Sequence, residues 1–311
     1  MISDALLRKN FVRNNESHLT PFIQRRLPQT YESINMMYRF CLSVKTLFIA
    51  TTLVAASLPG SFATTVEASQ GDQKINIALY YESQCPGCRE MITTSFKEAF
   101  EKDGFLDMAA VALVPYGNAQ EKGTDADGMY EFECQHGHSE CVYNTIEACA
   151  LDKIECPIMA FQFIDCIERS DESRDPDQDY TKVAMACAKL TEVPDQTMDT
   201  IKSCANGPEG NALEHQAAVM TDSLDPPHQF VPYVVVNGEH SDEVQDSISE
   251  SLFDYVCNAY LGPNKSKDCS TPGLRANKMA ARVVSNEEQK VCYRDTEPFA
   301  TAMDASMVTE K

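Results

Sequence analysis

The sequence predicts a mixed α/β (α+β) fold, and three observations predict it. An alternating apolar segment, KINIALYY at 74–81, precedes a segment of helical period, REMITTSFKEAFEKDG at 89–104, and a second β-rich run follows at roughly 106–115. A cysteine-dense block of helical pattern then occupies about 134–224. After it, the β-branched run FVPYVVVN at 230–237 returns to strand character.

Each element has a local reason. The first strand–helix–strand unit is long enough for a right-handed parallel crossover. Its helix carries Met91, Ile92, Phe96 and Phe100 on or near one face, and Gly104 stops it. Tyr116–Tyr130 is rich in Gly, Asp and Asn and predicts a loop. In the block that follows, Pro157 opens the helix IMAFQFIDCIE, 169–179 is a polar acidic break, and three short amphipathic segments come after it. Seven cysteines lie there. A small helical module buries little apolar area, and cross-links restrict its unfolded state. Asn237-Gly238 is a turn signal after the late strand, and Ser247–Leu261 predicts an amphipathic helix closed by Gly262-Pro263. These elements place one domain at 74–262, with its helical, disulfide-rich insertion at about 134–224. Residues 263–311 have few large apolar side chains. They are expected to form a flexible or cleaved tail, which Cys269 and Cys292 could tether.

Composition narrows the function classes. The 311 residues carry a net charge of −21, which argues against nucleic-acid binding and against a polybasic membrane-surface protein. Thirteen cysteines are too many for a protein kept reduced in the cytosol. The apolar run TLFIATTLVAASL at 46–58 is short for a membrane span. Arg39 and Lys45 precede it and Ser61-Phe62-Ala63 follows, so it has the form of a secretory signal. About 35 polar residues lie upstream of it, and Met36 or Met37 is a candidate start. Residues 1–63 are therefore expected to be an N-terminal extension plus signal peptide, with no stable membrane insertion after cleavage. Removing them takes Cys41 away, leaves twelve cysteines, and makes the charge −25, from 19 Lys/Arg against 44 Asp/Glu.

Cys85-Pro86-Gly87-Cys88 stands between the first strand and its helix. A cysteine at a helix N-terminus meets unpaired N–H groups and the positive end of the dipole, which favour a thiolate. A second cysteine one turn later is placed to attack a mixed disulfide. A structural bridge and half of a metal site are the other readings of CxxC, and no second CxxC supports the metal. Glu82 and Glu90 oppose a thiolate; Arg89 is the adjacent cation and is expected to be an exposed helix residue. Val231-Pro232 enters a late strand, where a proline suits a cis bond beside the CxxC of a thioredoxin-like site. Such a site leaves a strand edge free for an extended substrate. Cys134-Gln135-His136-Gly137-His138-Ser139-Glu140-Cys141 groups two cysteines and two histidines. Four zinc ligands this close require a tight loop, so a structural or substrate-facing loop is preferred and no metal site is expected.

CQHGHSEC at 134–141 resembles the C-Q-H-G-x-x-E-C motif of the gamma-interferon-inducible lysosomal thiol reductases. Cys85 and Cys88, Cys149, and FVPYVVVNG at 230–238 resemble the family's other landmarks in order. The resemblance covers roughly 74–262. It implies a thioredoxin-like domain with a helical insertion and a thiol-disulfide oxidoreductase that reduces protein disulfides in an acidic lysosome-like or extracellular compartment. It assigns Cys85 as the attacking thiolate, Cys88 as the resolving thiol, and Val231 and Pro232 to substrate binding. Cys134, Gln135, His136, Gly137, Glu140 and Cys141 form the family motif, with a structural role. Asn264, in the sequon Asn264-Lys265-Ser266, is the candidate glycosylation site. No bound cofactor is expected; an external thiol supplies electrons, and disulfide-containing proteins are the substrates. The alternative is a secreted binding or effector protein on a redox-inert frame of the same fold.

Overall fold

The structure is a computed structural model that describes residues 74–171, 173, 179–270 and 290–294. The expected extension and signal peptide, 1–63, lie outside the described residues, as do 271–289 and 295–311 of the expected tail.

β1 (Ile75–Tyr81) leads through the CxxC turn into α1 (Pro86–Met91). The helix widens to a π-helical stretch over Ile92–Phe96 and resumes as α2 (Lys97–Phe100). A single turn, α3 (Phe105–Met108), precedes β2 (Ala109–Pro115). It takes residues that the sequence assigns to the strand, because Gly104 at φ +76° starts a new turn there. β3 (Gln120–Thr124) and β4 (Tyr130–Glu133) form a hairpin where a loop was expected. QEKGT shows no apolar alternation, so periodicity could not reveal it.

Five helices follow: α4 (His138–Lys153), α5 (Pro157–Arg169), α6 (Tyr180–Leu190), α7 (Asp195–Ala205) and α8 (Pro208–Asp222). Cys149–Cys204 ties α4 to α7, and Cys166–Cys187 ties α5 to α6. Loops of these lengths stabilise by about 3–4 kcal/mol each through chain entropy. The expected late strand is split by Pro232 into β5 (Phe230–Val231) and β6 (Tyr233–Val236). α9 (Asp242–Ala259) starts earlier than expected because the Ser241 hydroxyl accepts the Val244 N–H and two acids sit in its first turn. β7 (Cys292–Tyr293) pairs with β5.

β1 is the centre of a three-stranded sheet of order β2-β1-β6. It runs parallel to β2, with Ile75 opposite Ala109, and antiparallel to β6, with Ile77 opposite Val236. One apolar core lies around this sheet with α1 and α9; a second lies among α4–α7. On α9, the Ser95 hydroxyl donates to Ile248 O and accepts the Leu252 N–H at 2.9 Å. It thus replaces the helix's own bond between those two groups, and α9 breaks at Ser251.

Arg89 departs from its expected exposed position: it is 4% exposed and joins α1 to the insertion. Its guanidinium donates to Ser83 O (2.9 Å), the Ser173 hydroxyl (3.0 Å) and Ser170 O (2.8 Å), and lies 3.8 Å from Glu168. Arg89→Met takes their donor from the Ser83 and Ser170 carbonyls and the cation from beside Glu168, a loss of about 3–5 kcal/mol. The melting midpoint is expected to fall by about 10 °C. Arg89→Lys should rescue only part of it, because an ammonium cannot reproduce the fork. An unchanged midpoint in a thermal melt would count against this role.

The insertion also buries carboxyls. Desolvation pushes Glu147 and Glu168 up, and the Glu147 charge raises Glu168 further. Burial raises Asp165 to about 7 against the pull of Arg169, and Glu214 to about 8 against its bond from Thr145. Each carboxyl holds its proton more tightly in the folded chain than at its ordinary value of about 4. Their contribution to stability is complete below that value and is lost as pH rises, through about 7 to 8 for Glu147, Asp165 and Glu214. His228 runs the other way: burial lowers it to about 4, so acid below about pH 6.5 disfavours its folded form. Four carboxyls against one imidazole set the sign. The melting midpoint is therefore expected to be higher at pH 5.5 than at pH 8, and Glu214→Gln should shrink the difference. A midpoint that rises toward pH 8 would overturn the assignment.

Candidate functional site

Cys85 is the N-cap of α1, with extended backbone, and Pro86 takes the first helical position. Proline there wastes no hydrogen bond, because the first helical N–H has no partner in the helix. The Arg89 N–H closes the first turn on Cys85 O at 3.0 Å. Cys88 lies one turn along, fully buried, and is a free thiol. Burial pushes its pKa well up, the Glu82 carboxylate adds to this, and the Glu82 N–H bonded to its sulfur at 3.4 Å acts in opposition.

Cys85 is not paired with Cys88. Its sulfur is bonded to that of Cys292, in the region expected to be a flexible or cleaved tail. Cys269 is also tethered, to Cys257 at the end of α9. The two tail cysteines thus seat parts of 263–294 on the domain, where a paucity of apolar residues alone would have left them loose.

The Val231–Pro232 peptide is cis, and Cys85 Sγ lies 3.7 Å from Val231 O. Gln245 of α9 secures the strand beyond: its Nε2 donates to Pro232 O (2.6 Å) and its Oε1 accepts the Val234 N–H (2.9 Å). Sequence reasoning missed Gln245. On an amphipathic helix a glutamine looks like a solvated residue, and no local signal distinguishes it.

The motif loop closes on itself through the Cys134–Cys141 disulfide. That bond consumes both thiol ligands of the zinc alternative. Gly137, at φ +92°, is the N-cap of α4. Glu140 is fully buried and accepts the His136 N–H (3.0 Å) at one oxygen and faces His136 Nδ1 (2.6 Å) with the other. Glu82, also fully buried, accepts the Asn118 N–H at 2.6 Å and lies 3.6 Å from His136 Nδ1. Gly117, at φ +60°, makes room for it: a Cβ there would stand 2.4 Å from Glu82 Cγ. His138 is exposed and meets Tyr180 edge-on. Gln135 and Asn118 reach the tail strand instead, donating to Tyr293 O (2.8 Å) and Cys292 O (2.9 Å). Asn118 was missed by the sequence reading, since it lies in a stretch that resembles any Gly/Asn loop. Asn264 is exposed and lies away from these groups in sequence.

The cleft therefore brings together Cys85, Cys88, Val231, Pro232 and the motif loop. The family model described as gamma interferon inducible lysosomal thiol reductase matches residues 76–191. The gamma-interferon-inducible lysosomal thiol reductase of Carassius auratus is 43% identical over 60% of this chain and 69% of its own. That of Mus musculus is 34% identical over 71% of this chain and 77% of its own. The gamma-interferon-responsive lysosomal thiol protein of Arabidopsis thaliana is 35% identical over 61% and 72%. With these matches, the chain belongs to the gamma-interferon-inducible lysosomal thiol reductase family and is a thiol-disulfide oxidoreductase.

Proposed function

We propose that this chain reduces protein disulfides through Cys85 and Cys88. Cys85 attacks one sulfur of the substrate disulfide, and Cys88 then attacks Cys85 and releases the reduced protein. The observation that supports this most is the unequal pair: Cys85 at the N-cap position of α1, its sulfur beside the Val231–Pro232 strand, and a free buried thiol one turn behind it. An inert frame would be expected to carry a closed Cys85–Cys88 bridge, whereas Cys88 is free and Cys85 is bonded elsewhere. An external thiol returns the electrons, and no bound cofactor takes part.

The compartment we infer is lysosome-like or extracellular. Five disulfides among the described residues fit an oxidising route, and the relatives in Carassius auratus and Mus musculus are named as lysosomal. Among the described residues no helix is long and apolar enough to cross a membrane. Glycosylation of Asn264 would have to precede folding, since Ser266 of its sequon is buried and donates to Asp103 O at 2.6 Å.

With the full chain reduced beforehand by a small thiol, Cys85→Ser should abolish turnover of a disulfide substrate. Cys88→Ser in a Cys292→Ser chain, which has no second thiol to displace the substrate, should instead accumulate mixed disulfides, visible as mass adducts lost on reduction. Undiminished turnover by the Cys85→Ser chain would sink this function. Under graded reduction, alkylation should reach Cys85 and Cys292 before Cys149, Cys204, Cys166 and Cys187. Equal resistance of all these bridges would favour the inert binding protein.

A further inference from the structure

We propose that strand 290–294 is an internal substrate seated in the enzyme's own substrate groove, and that Asn118, Gln135 and His136 are the residues that read it. This rests on the thiol-exchange function above.

The strand is bound as a substrate in the middle of the reaction would be. Cys292 forms the mixed disulfide with Cys85. Its backbone pairs antiparallel with β5, Val231 opposite Cys292 and Phe230 opposite Tyr293, and the Arg294 N–H donates to Gln229 O at 2.9 Å. Asn118 holds the carbonyl of the cysteine itself, Gln135 that of the next residue, and Asn118 also donates to Gln135 Oε1 at 2.9 Å. Gly87 lies flush against the strand: a Cβ there would stand 1.6 Å from Lys290 O. His136 Nε2 faces Cys292 Sγ at 3.9 Å, with Nδ1 turned to Glu140 and Glu82.

On the strand, Asn118, Gln135 and His136 meet two carbonyls and the cysteine sulfur, which every extended cysteine peptide possesses. The side-chain ion pairs of the strand, Lys290–Glu90 and Arg294–Asp222, lie at the partly exposed rim and contribute little. The groove therefore suits any disulfide-bearing segment that can lie extended, with the edge-on contact of Tyr293 on Phe230 favouring an aromatic residue after the cysteine.

The release step balances. The Cys88 thiolate attacks Cys85 Sγ, the Cys85–Cys292 bond breaks, and its electron pair goes to Cys292 Sγ. That sulfur takes a proton from His136 Nε2, which offsets the proton Cys88 has lost. Cys85–Cys88 becomes the disulfide, and an external thiol donor reduces it with two electrons. A substrate sulfur in the place of Cys292 leaves in the same way, so His136 is the acid for the leaving thiolate, oriented by Glu140.

The test uses the full chain. Non-reducing peptide mapping of Cys88→Ser protein, in which Cys88 cannot exchange, should recover a Cys85–Cys292 peptide pair. Its absence overturns the internal substrate. In the Cys292→Ser chain, Asn118→Ala and Gln135→Ala should raise KM for an extended peptide disulfide about three- to tenfold and leave a small dialkyl disulfide unaffected. His136→Gln should slow the dialkyl disulfide at least about tenfold and spare a diaryl disulfide, whose thiolate leaves without a proton. Equal losses on all three probes would make these residues structural and overturn the groove assignment. If the Cys292→Ser chain reduces none of the three, the thiol-exchange function itself fails.

Discussion

The turn from β1 to α1 has no strand ladder of its own, and the helical insertion supplies the bonds it lacks. The Ser83 N–H donates to Asn144 Oδ1 at 3.0 Å, and its hydroxyl donates to Glu140 O at 3.2 Å. From the other side Arg89 takes Ser83 O. Gln84 Nε2 reaches Ser173 O at 2.7 Å, beyond α5. Cys85 follows directly, so its position is set by groups from α4, by the chain that follows α5, and by its own helix. That is why a domain whose sheet has three strands carries five further helices. They hold the entry to α1 in place, and buried donors and acceptors lose their water in exchange for these partners.

The same packing explains the unusual set of buried acids. Glu147 comes from α4 and meets the β1 end of the sheet, where it accepts the Tyr81 hydroxyl at 2.6 Å. A carboxyl at such a place costs little when neutral and a great deal when charged. An acidic surrounding supplies the neutral form. The excess of Asp and Glu over Lys and Arg adds to this, since self-repulsion among exposed carboxylates also weakens as they take up protons.

Much of this architecture was legible in the residues. KINIALYY announces β1 by alternation, and CPGC announces the cap of α1 by its place between a strand and a helical period. Val231-Pro232 marks the strand edge because proline cannot donate to a ladder. Beyond Asn118 and Gln245, a hairpin, a buried arginine and a disulfide partner were not legible, and the last two depend on contacts distant in sequence. In the hairpin β3–β4, QEKGT carries no apolar alternation, and only the four residues YEFE of β4 carry any. Arg89 looks like any surface arginine until Glu168 is brought to it by the packing of α5. Cys292 is one of thirteen cysteines, and nothing local in KVCYR says that it reaches back 207 positions to Cys85. Spacing reports local geometry, whereas partner choice among cysteines is decided by the tertiary fold.

The Ser95 hydroxyl has a consequence beyond the break it makes in α9. It lies on the continuation of the helix that starts at Cys85, and it bonds two successive turns of the helix that carries Gln245. Gln245 in turn holds the carbonyl of Pro232. One wall of the cleft is the cap of α1 and the other is the Pro232 strand, so a single line of bonds runs from wall to wall behind the site. The gap between sulfur and strand edge is thereby gauged from the rear. A substitution deep in the sheet's core, far from any residue a substrate touches, can widen or narrow the slot as effectively as one in its lining.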